Sequence, residues 1–364
     1  MRFAEGDDLK TKDRRYSLDI LRFAAMVLII LHHYQQITGV RYEKINFYSD
    51  AKPVVAMAVE FFFVLSGYLS IGAIKRVENG ESFGRFYLAK RRRLLPLIAV
   101  SVVVYEGLIF VATRSMPDMQ WVYGLGVNLF GSVITCLGVQ CGWGFPNPMI
   151  NNPMWYVSVL LWCYVVLYII VWLSVRLKVS KIPMCIFMIF IGAGVFTYSI
   201  NLPFVNSDMA RGYMSFFTGV VLASYIDLKG KNARLAILGA VITVAVITAM
   251  VFCWNAIAGS FNYVFIFLLF PALIVVFDSS LFNRMFNHKL LRVLGELAFD
   301  TYVWHIVVML ALWMLQYKGV LNVDIRSVTI MIGYTIVCLI CGAISRIVTV
   351  LISHRGVASV NDNK

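Results

Sequence analysis

The chain has 364 residues, 60% hydrophobic and only 14% charged, with a mean hydropathy of +0.79 and a formal net charge of +13. Soluble domains carry about one-quarter charged residues, so the composition excludes a water-solvated monomer and leaves no room for a sizeable soluble domain. The positive balance does not call for nucleic acid, because basic cytoplasmic loops facing anionic lipid account for it.

A hydrocarbon core about 30 Å thick needs about 20 apolar residues per helix. Such stretches recur at 17–37, 53–74, 94–113, 153–173, 183–200, 212–226, 235–254, 261–277, 294–316 and 327–352. The first span follows a polar tail, MRFAEGDDLKTKDRRY, with no small-residue cleavage site after an apolar run, so it is expected to stay in the mature protein. With the N-terminus inside, the cytoplasmic segments hold 23 Lys/Arg, the external loops seven and the spans two. This bias predicts an all-α, polytopic helical bundle of about ten transmembrane helices with both termini cytoplasmic. One membrane domain over 1–364 is expected, with tails at 1–16 and 353–364 around a bundle at 17–352.

The longest excursion between spans, Arg114 to Asn152, carries Trp121, Trp143 and Phe145 near its Gly-, Pro- and Asn-rich end. It reads either as an aromatic belt at headgroup level or as a platform on which saccharides stack. Cys136 and Cys141 lie there too, and a disulfide between them stays open. The other five cysteines fall in or beside spans, where Cys packs as a small hydrophobe.

Ionisable side chains inside a bilayer cost about 2.5 to 3.5 kcal/mol on insertion scales, so each one in a span is a functional candidate. The first span, SLDILRFAAMVLIILHHY, holds Asp19, Arg22, His32 and His33. Arg22 and His33 are 11 residues apart, which puts them on one helix face about 16 Å apart in depth. Asp19, one turn before Arg22, is placed to pair with it. The second span, PVVAMAVEFFFVLSGYLSIGAI, brings Glu60 to within about one turn of the depth of His33, where a carboxylate can orient an imidazole and raise its basicity. Ser66 follows; it is a candidate nucleophile, although serine in membrane helices commonly bonds back to its own carbonyls. Gly67 and Gly72 are five apart, so no glycine dimer motif is indicated.

Lys90, Arg91, Arg92 and Arg93, in FYLAKRRRLLP at the foot of the third span, suit either a positive-inside anchor or a phosphate-holding cluster. The ninth span, LAFDTYVWHIVVML, carries Asp300, Tyr302 and His305, a polar patch suited to supporting the first span. Trp155 heads the fourth span, MWYVSVLLWCYV. No metal-ligand set stands out.

These residues resemble the acyltransferase-three family, bacterial membrane acyltransferases that modify surface glycans with acetyl or related groups from cytosolic acyl-CoA. Four motifs match in order across nearly the whole chain: the Arg22-to-His33 spacing, VEFFFVLSGYL, KRRRLLP and GELAFDTYVWH. The resemblance implies that His33 is the catalytic histidine, with Glu60 beside it, and that Arg22, Arg91, Arg92, Arg93 and Ser66 serve the donor. Asp19, Tyr302, His305 and Trp155 are grouped as supporting residues. The chain departs from the pattern at Leu160, where many relatives carry a Glu. It also ends 12 residues after its last span, so transfer is expected to finish in the membrane domain rather than in an appended hydrolase-like domain.

The expected activity is O-acyl transfer, with acetyl foremost, from acyl-CoA to a hydroxyl of a surface or lipid-linked glycan at a bacterial inner membrane. His33 is the expected general base; a covalent acyl-His33 is the variant. No permanently bound cofactor is expected. The expected partners are acyl-CoA, the glycan or lipid-linked saccharide and membrane lipids, with self-association left open. The alternative is a proton-coupled secondary transporter of an anionic solute, since intramembrane Arg, Glu and His also suit that task.

Overall fold

The structure is a computed structural model that describes residues 16–43, 46–48, 55–119, 126–141, 150–230, 233–286 and 288–361, with side chains described as far as 352 in the last helix. Trp121, Trp143, Phe145 and both chain tails lie outside the described residues. In chain order the elements are α1 (Tyr16–Thr38), α2 (Ala58–Tyr68), α3 (Ile71–Glu78), α4 (Phe83–Ser115), α5 (Leu129–Leu137), α6 (Trp155–Leu177) and α7 (Lys181–Thr197). They continue with α8 (Ser207–Lys229), α9 (Ala233–Phe252), α10 (Phe261–Phe277), α11 (Ser280–Met285), α12 (Lys289–Tyr317) and α13 (Val328–Asn361). Among the described residues there is no strand beyond one isolated bridge, Leu202 to Val205.

Seven helical units are long and apolar enough to cross a membrane: α1, Val55–Glu78, α4, Asn152–Leu177, α9, α12 and Val328–Ile352. The three other expected spans are also helices. α7 and α10 are shorter, and α8 is 23 residues long but carries Asp208, Arg211, Asp227 and Lys229. Asp227 and Lys229 are exposed in its last turn and Asp208 and Arg211 lie in its first turns; between them α8 is an inner helix, packed against α2, α6 and α7, with Met209, Met214, Phe216, Phe217 and Val220 fully buried. By contrast, α9 and α13 expose Leu238, Val241, Val244, Ile336, Ile340 and Ile347, apolar surface that water would not tolerate and lipid covers.

Side-chain contacts fix the helix directions. Asp19 packs at Gly295 and His33 meets His305, so α1 and α12 run parallel. Arg346 meets Glu296, while the Tyr334 hydroxyl donates to the His305 carbonyl, so α13 returns antiparallel. The start of α1 and the last described turns of α13 therefore share one end of the bundle. That end also holds the Lys75–Asp227 and Lys181–Glu78 ion pairs and the Ser17–Asn283 hydrogen bond. An even number of crossings gives this arrangement.

The tightest seam joins α2 to α8. A Cβ at Gly67 would stand 1.9 Å from the Phe216 carbonyl oxygen, and one at Gly219 would stand 1.9 Å from the Val64 carbonyl oxygen. One glycine from each helix does what a repeated glycine motif does within one helix, and Gly72, where an added Cβ meets nothing, takes no part in it. Because the obstructing atoms are backbone, no rotamer change relieves them. A second pin precedes α6: Asn151, fully buried with φ +44°, donates through Nδ2 to Ser101 Oγ at 3.2 Å and to the Val303 carbonyl at 3.2 Å. It ties the head of α6 to α4 and α12.

Gly67→Val is expected to abolish monodisperse folded protein on size-exclusion chromatography. Gly72→Ala, where an added Cβ meets nothing within 4 Å, should behave as the parent. Asn151→Ala loses both hydrogen bonds and meets strain at positive φ, whereas Asn151→Gly loses only the bonds. Thermal melting in detergent should rank parent, then Gly, then Ala, with the hydrogen-bond loss worth about 1–3 kcal/mol.

Candidate active site

Asp19 and His33 lie on the face of α1 that meets α12. At the basic end, Asp19 is buried and packs where Gly295 has no side chain, and Arg22 Nη1 lies 2.7 Å from Asp19 Oδ1. This is the one-turn pairing that the sequence suggests. Three turns on, His33 Nδ1 lies 2.9 Å from His305 Nε2, with the two rings stacked at 5.0 Å. His305 is fully buried, and its Nδ1 lies 2.5 Å from the Tyr302 carbonyl oxygen one turn earlier on α12. The Tyr302 hydroxyl donates to the Pro153 carbonyl, which holds the head of α6 against the same site.

For two neutral rings, this geometry assigns the tautomers. A carbonyl oxygen only accepts, so His305 Nδ1 carries the proton and its neutral Nε2 holds a lone pair. That lone pair faces His33 Nδ1, so His33 donates from Nδ1 and keeps its own lone pair on Nε2. A basic nitrogen is thereby left on the side of His33 away from α12. After Nε2 takes up a proton, the positive ring still donates to His305.

A row of rings and hydroxyls joins this pair to the basic end. The His305 ring is 5.5 Å from that of Tyr302, which is 6.0 Å from that of Tyr156. The Tyr156 hydroxyl is 3.3 Å from Ser66 Oγ and lies within electrostatic reach of Arg22. His33, His305, Tyr302, Tyr156 and Ser66 thus form one row of neighbouring polar groups. His32 has a separate job: its Nδ1 donates to the Phe47 carbonyl at 2.7 Å while Gln35 Oε1 accepts from the Phe47 and Tyr48 amides. Together they clamp the segment after α1.

The structure brings His33, Tyr302 and His305 together and sets Ser66 further along, against Tyr156. Asp300 turns away to α13, where it accepts from Ser345 Oγ at 3.3 Å. The contact expected between Glu60 and His33 does not form. Glu60 Oε1 instead takes Arg211 Nε at 2.5 Å, because Arg211 in the first turns of the neighbouring α8 brings a full positive charge that outcompetes a neutral ring. Trp155 lies beneath that guanidinium, 4.5 Å from it. Arg211 lies one residue before the sixth expected span, which begins at 212, and so is not among the intramembrane candidates; the Asp-x-x-Arg spacing from Asp208 is the sequence signal that points to it.

At the other end of α4, the basic run falls in the first turns of a 33-residue helix about 50 Å long, more than a bilayer core needs. Lys90 lies over the Tyr164 ring at 4.1 Å and Arg91 over Tyr87 at 6.0 Å. Arg92 and Arg93 are exposed and have no partner among the described residues. Cys136 and Cys141 are both free thiols, Cys141 buried with Sγ 3.9 Å from Asp208 Oδ2. The disulfide left open by the sequence is not formed.

Residues 15–347 match the model of the acyltransferase-three family, described as an acyltransferase domain. The chain is similar to a peptidoglycan O-acetyltransferase, OatA, of Listeria monocytogenes serovar 1/2a, at 25% identity over 334 residues, covering 80% of this chain and 49% of the relative. The chain therefore spans about half the length of that protein. No solved structure matches it. With the family model covering nearly the whole bundle, from the start of α1 to Ile347 in α13, the chain belongs to the acyltransferase-three family of membrane acyltransferases.

Proposed function

We propose that this membrane acyltransferase is an O-acetyltransferase. It would take the acyl group from acyl-CoA on the cytosolic side of a bacterial inner membrane and pass it to a hydroxyl of a surface or lipid-linked glycan, with His33 as general base. The observation that carries this reading is the His33–His305 hydrogen bond, backed by the Tyr302 carbonyl, which leaves a lone pair on His33 Nε2. Family membership favours acyl transfer over the proton-coupled transporter alternative.

In the proposed reaction, Nε2 of His33 takes the proton of the acceptor hydroxyl as its oxygen bonds to the acyl carbon. The carbon–sulfur bond breaks, and the proton passes from His33 to the departing CoA thiolate. His305 keeps His33 in the reactive tautomer and accepts from the imidazolium. It is a positioning residue in this scheme, and Glu60 acts at a distance, through Arg211. A covalent acyl-His33 route would use the same lone pair as nucleophile.

The donor head fits the basic end. Arg92 and Arg93 project free guanidinium forks of the kind that bind phosphates, whereas Lys90 and Arg91 are engaged with aromatic rings. From there Arg22, Ser66 and Tyr156 offer polar groups along the way to His33, where the thioester must arrive.

His33→Ala is expected to lower kcat for acyl transfer by about 10²–10⁴-fold while membrane insertion is kept and the unmatched His305 Nε2 costs about 1–3 kcal/mol of stability. Parental turnover in that variant would defeat the assignment. Replacing both Arg92 and Arg93 with Gln should weaken binding of labelled acyl-CoA and flatten its salt dependence. Accessibility labelling should report an unchanged topology, since the other basic residues of that end remain. Equal donor binding in parent and double variant would leave these two arginines as a membrane anchor alone.

A further inference from the structure

Beside the histidine pair, the external end of α8 meets α2 and α6 in a group of charges larger than its internal bonding needs. Glu60 is 2% exposed; Oε1 holds Arg211 Nε, and Oε2 is buried with no hydrogen-bond partner among the described residues. Because the ion pair uses Nε, both Nη groups of Arg211 are left over, and neither has a hydrogen-bond partner among the described residues. The guanidinium is fixed from behind by Glu60, rests on Trp155 and is 25% exposed. One turn earlier on the same helix, Asp208 is partly exposed, lies within electrostatic reach of Arg211, and among the described residues hydrogen-bonds to the weakly polar Cys141 thiol, 3.9 Å away. An arginine held this firmly at its Nε edge presents a rigid donor pair outward, with an acceptor carboxylate next to it.

The group lies at the reacting end. His32, adjacent to His33, and Tyr302, which orients His305, are both within electrostatic reach of Arg211. Trp155 precedes Tyr156, whose ring begins the row leading through Tyr302 and His305 to His33.

Charge decides the ligand class. Glu60, Asp208 and Arg211 sum to −1, which disfavours a phosphate or carboxylate beside them. A hydroxyl both donates and accepts, so neighbouring hydroxyls on one sugar ring match the set: one gives its proton to Asp208, and the next accepts from an Arg211 Nη. We propose that Asp208 and Arg211, supported by Glu60 and Trp155, form an acceptor subsite for a neutral saccharide, gripping adjacent ring hydroxyls so that a further hydroxyl reaches His33. This deepens the glycan-acceptor reading and rests on it for its role in transfer. The saccharide-binding claim stands on its own.

The test uses the full chain in nanodiscs. Calorimetry measures binding of chitotetraose, a neutral oligosaccharide, and of tetragalacturonate, an acidic one, to the parent, Asp208→Ala and Arg211→Lys. Chitotetraose should bind the parent saturably and more tightly than tetragalacturonate. Each variant should bind it about tenfold more weakly, as the loss of one or two hydrogen bonds implies, at unchanged melting temperature and unchanged acyl-CoA affinity. Arg211→Lys keeps a positive partner for Glu60, so it reports on the fork even if Asp208→Ala is poorly folded. No saturable chitotetraose binding to the parent, equal binding to parent and variants, or tighter binding of the acidic sugar would overturn the subsite. Saccharide binding with no acyl-CoA binding in the parent would instead overturn the transferase reading and leave the subsite standing.

Discussion

The hydrogen bond between His33 and His305 sets the terms for the rest of the bundle. Two imidazoles at membrane depth are tolerable only if each polar nitrogen facing the protein is matched, because a bilayer offers no water to do so. Matching them requires α1 and α12 to run parallel at close range, and parallel helices far apart in sequence can meet only if the intervening chain makes the right number of crossings. Asp19 settles into the notch at Gly295 in the same interface, and α13 closes its back with Tyr334 on the His305 carbonyl. The register that brings 33 to 305 is thus held by packing at one end and by hydrogen bonds at the other.

Depth divides the labour along this interface. At one end lie the exposed Arg92 and Arg93 and the Arg22–Asp19 pair; at the other, a mixed-charge cluster of Glu60, Asp208 and Arg211 lies beside the histidines. Between them, the phenols of Tyr156 and Tyr302 and the hydroxyl of Ser66 provide groups that are polar without being ionic, which cost less to bury than charge does.

Much of this was legible in the sequence. Hydropathy and the Lys/Arg bias located ten helices, and their boundaries were good enough to place Arg22 and His33 on one face of α1. The partner of His33 was harder. His305 lies 272 residues away, and helical periodicity says which face a residue occupies but not which helix that face meets. Glu60 illustrates the same limit: counting turns along its own span could not reveal that α8 would bring Arg211 to it. The mixed polarity of α8 was itself a clue, since a helix with four ionisable residues in 23 is stable in a membrane only among other helices. The Gly67–Gly219 contact was invisible for a similar reason, since each glycine looks isolated until the two helices are juxtaposed.

The account stands most directly on the protonation pattern of His33. Nitrogen-15 NMR of histidine-labelled protein in nanodiscs at neutral pH, assigned by difference from His33→Asn, reads it for the ring itself. The account predicts a neutral imidazole protonated on Nδ1, with an unprotonated Nε2 and a coupling partner at His305. A His33 protonated on Nε2, or carrying both protons, would have no lone pair to offer a hydroxyl and would contradict it.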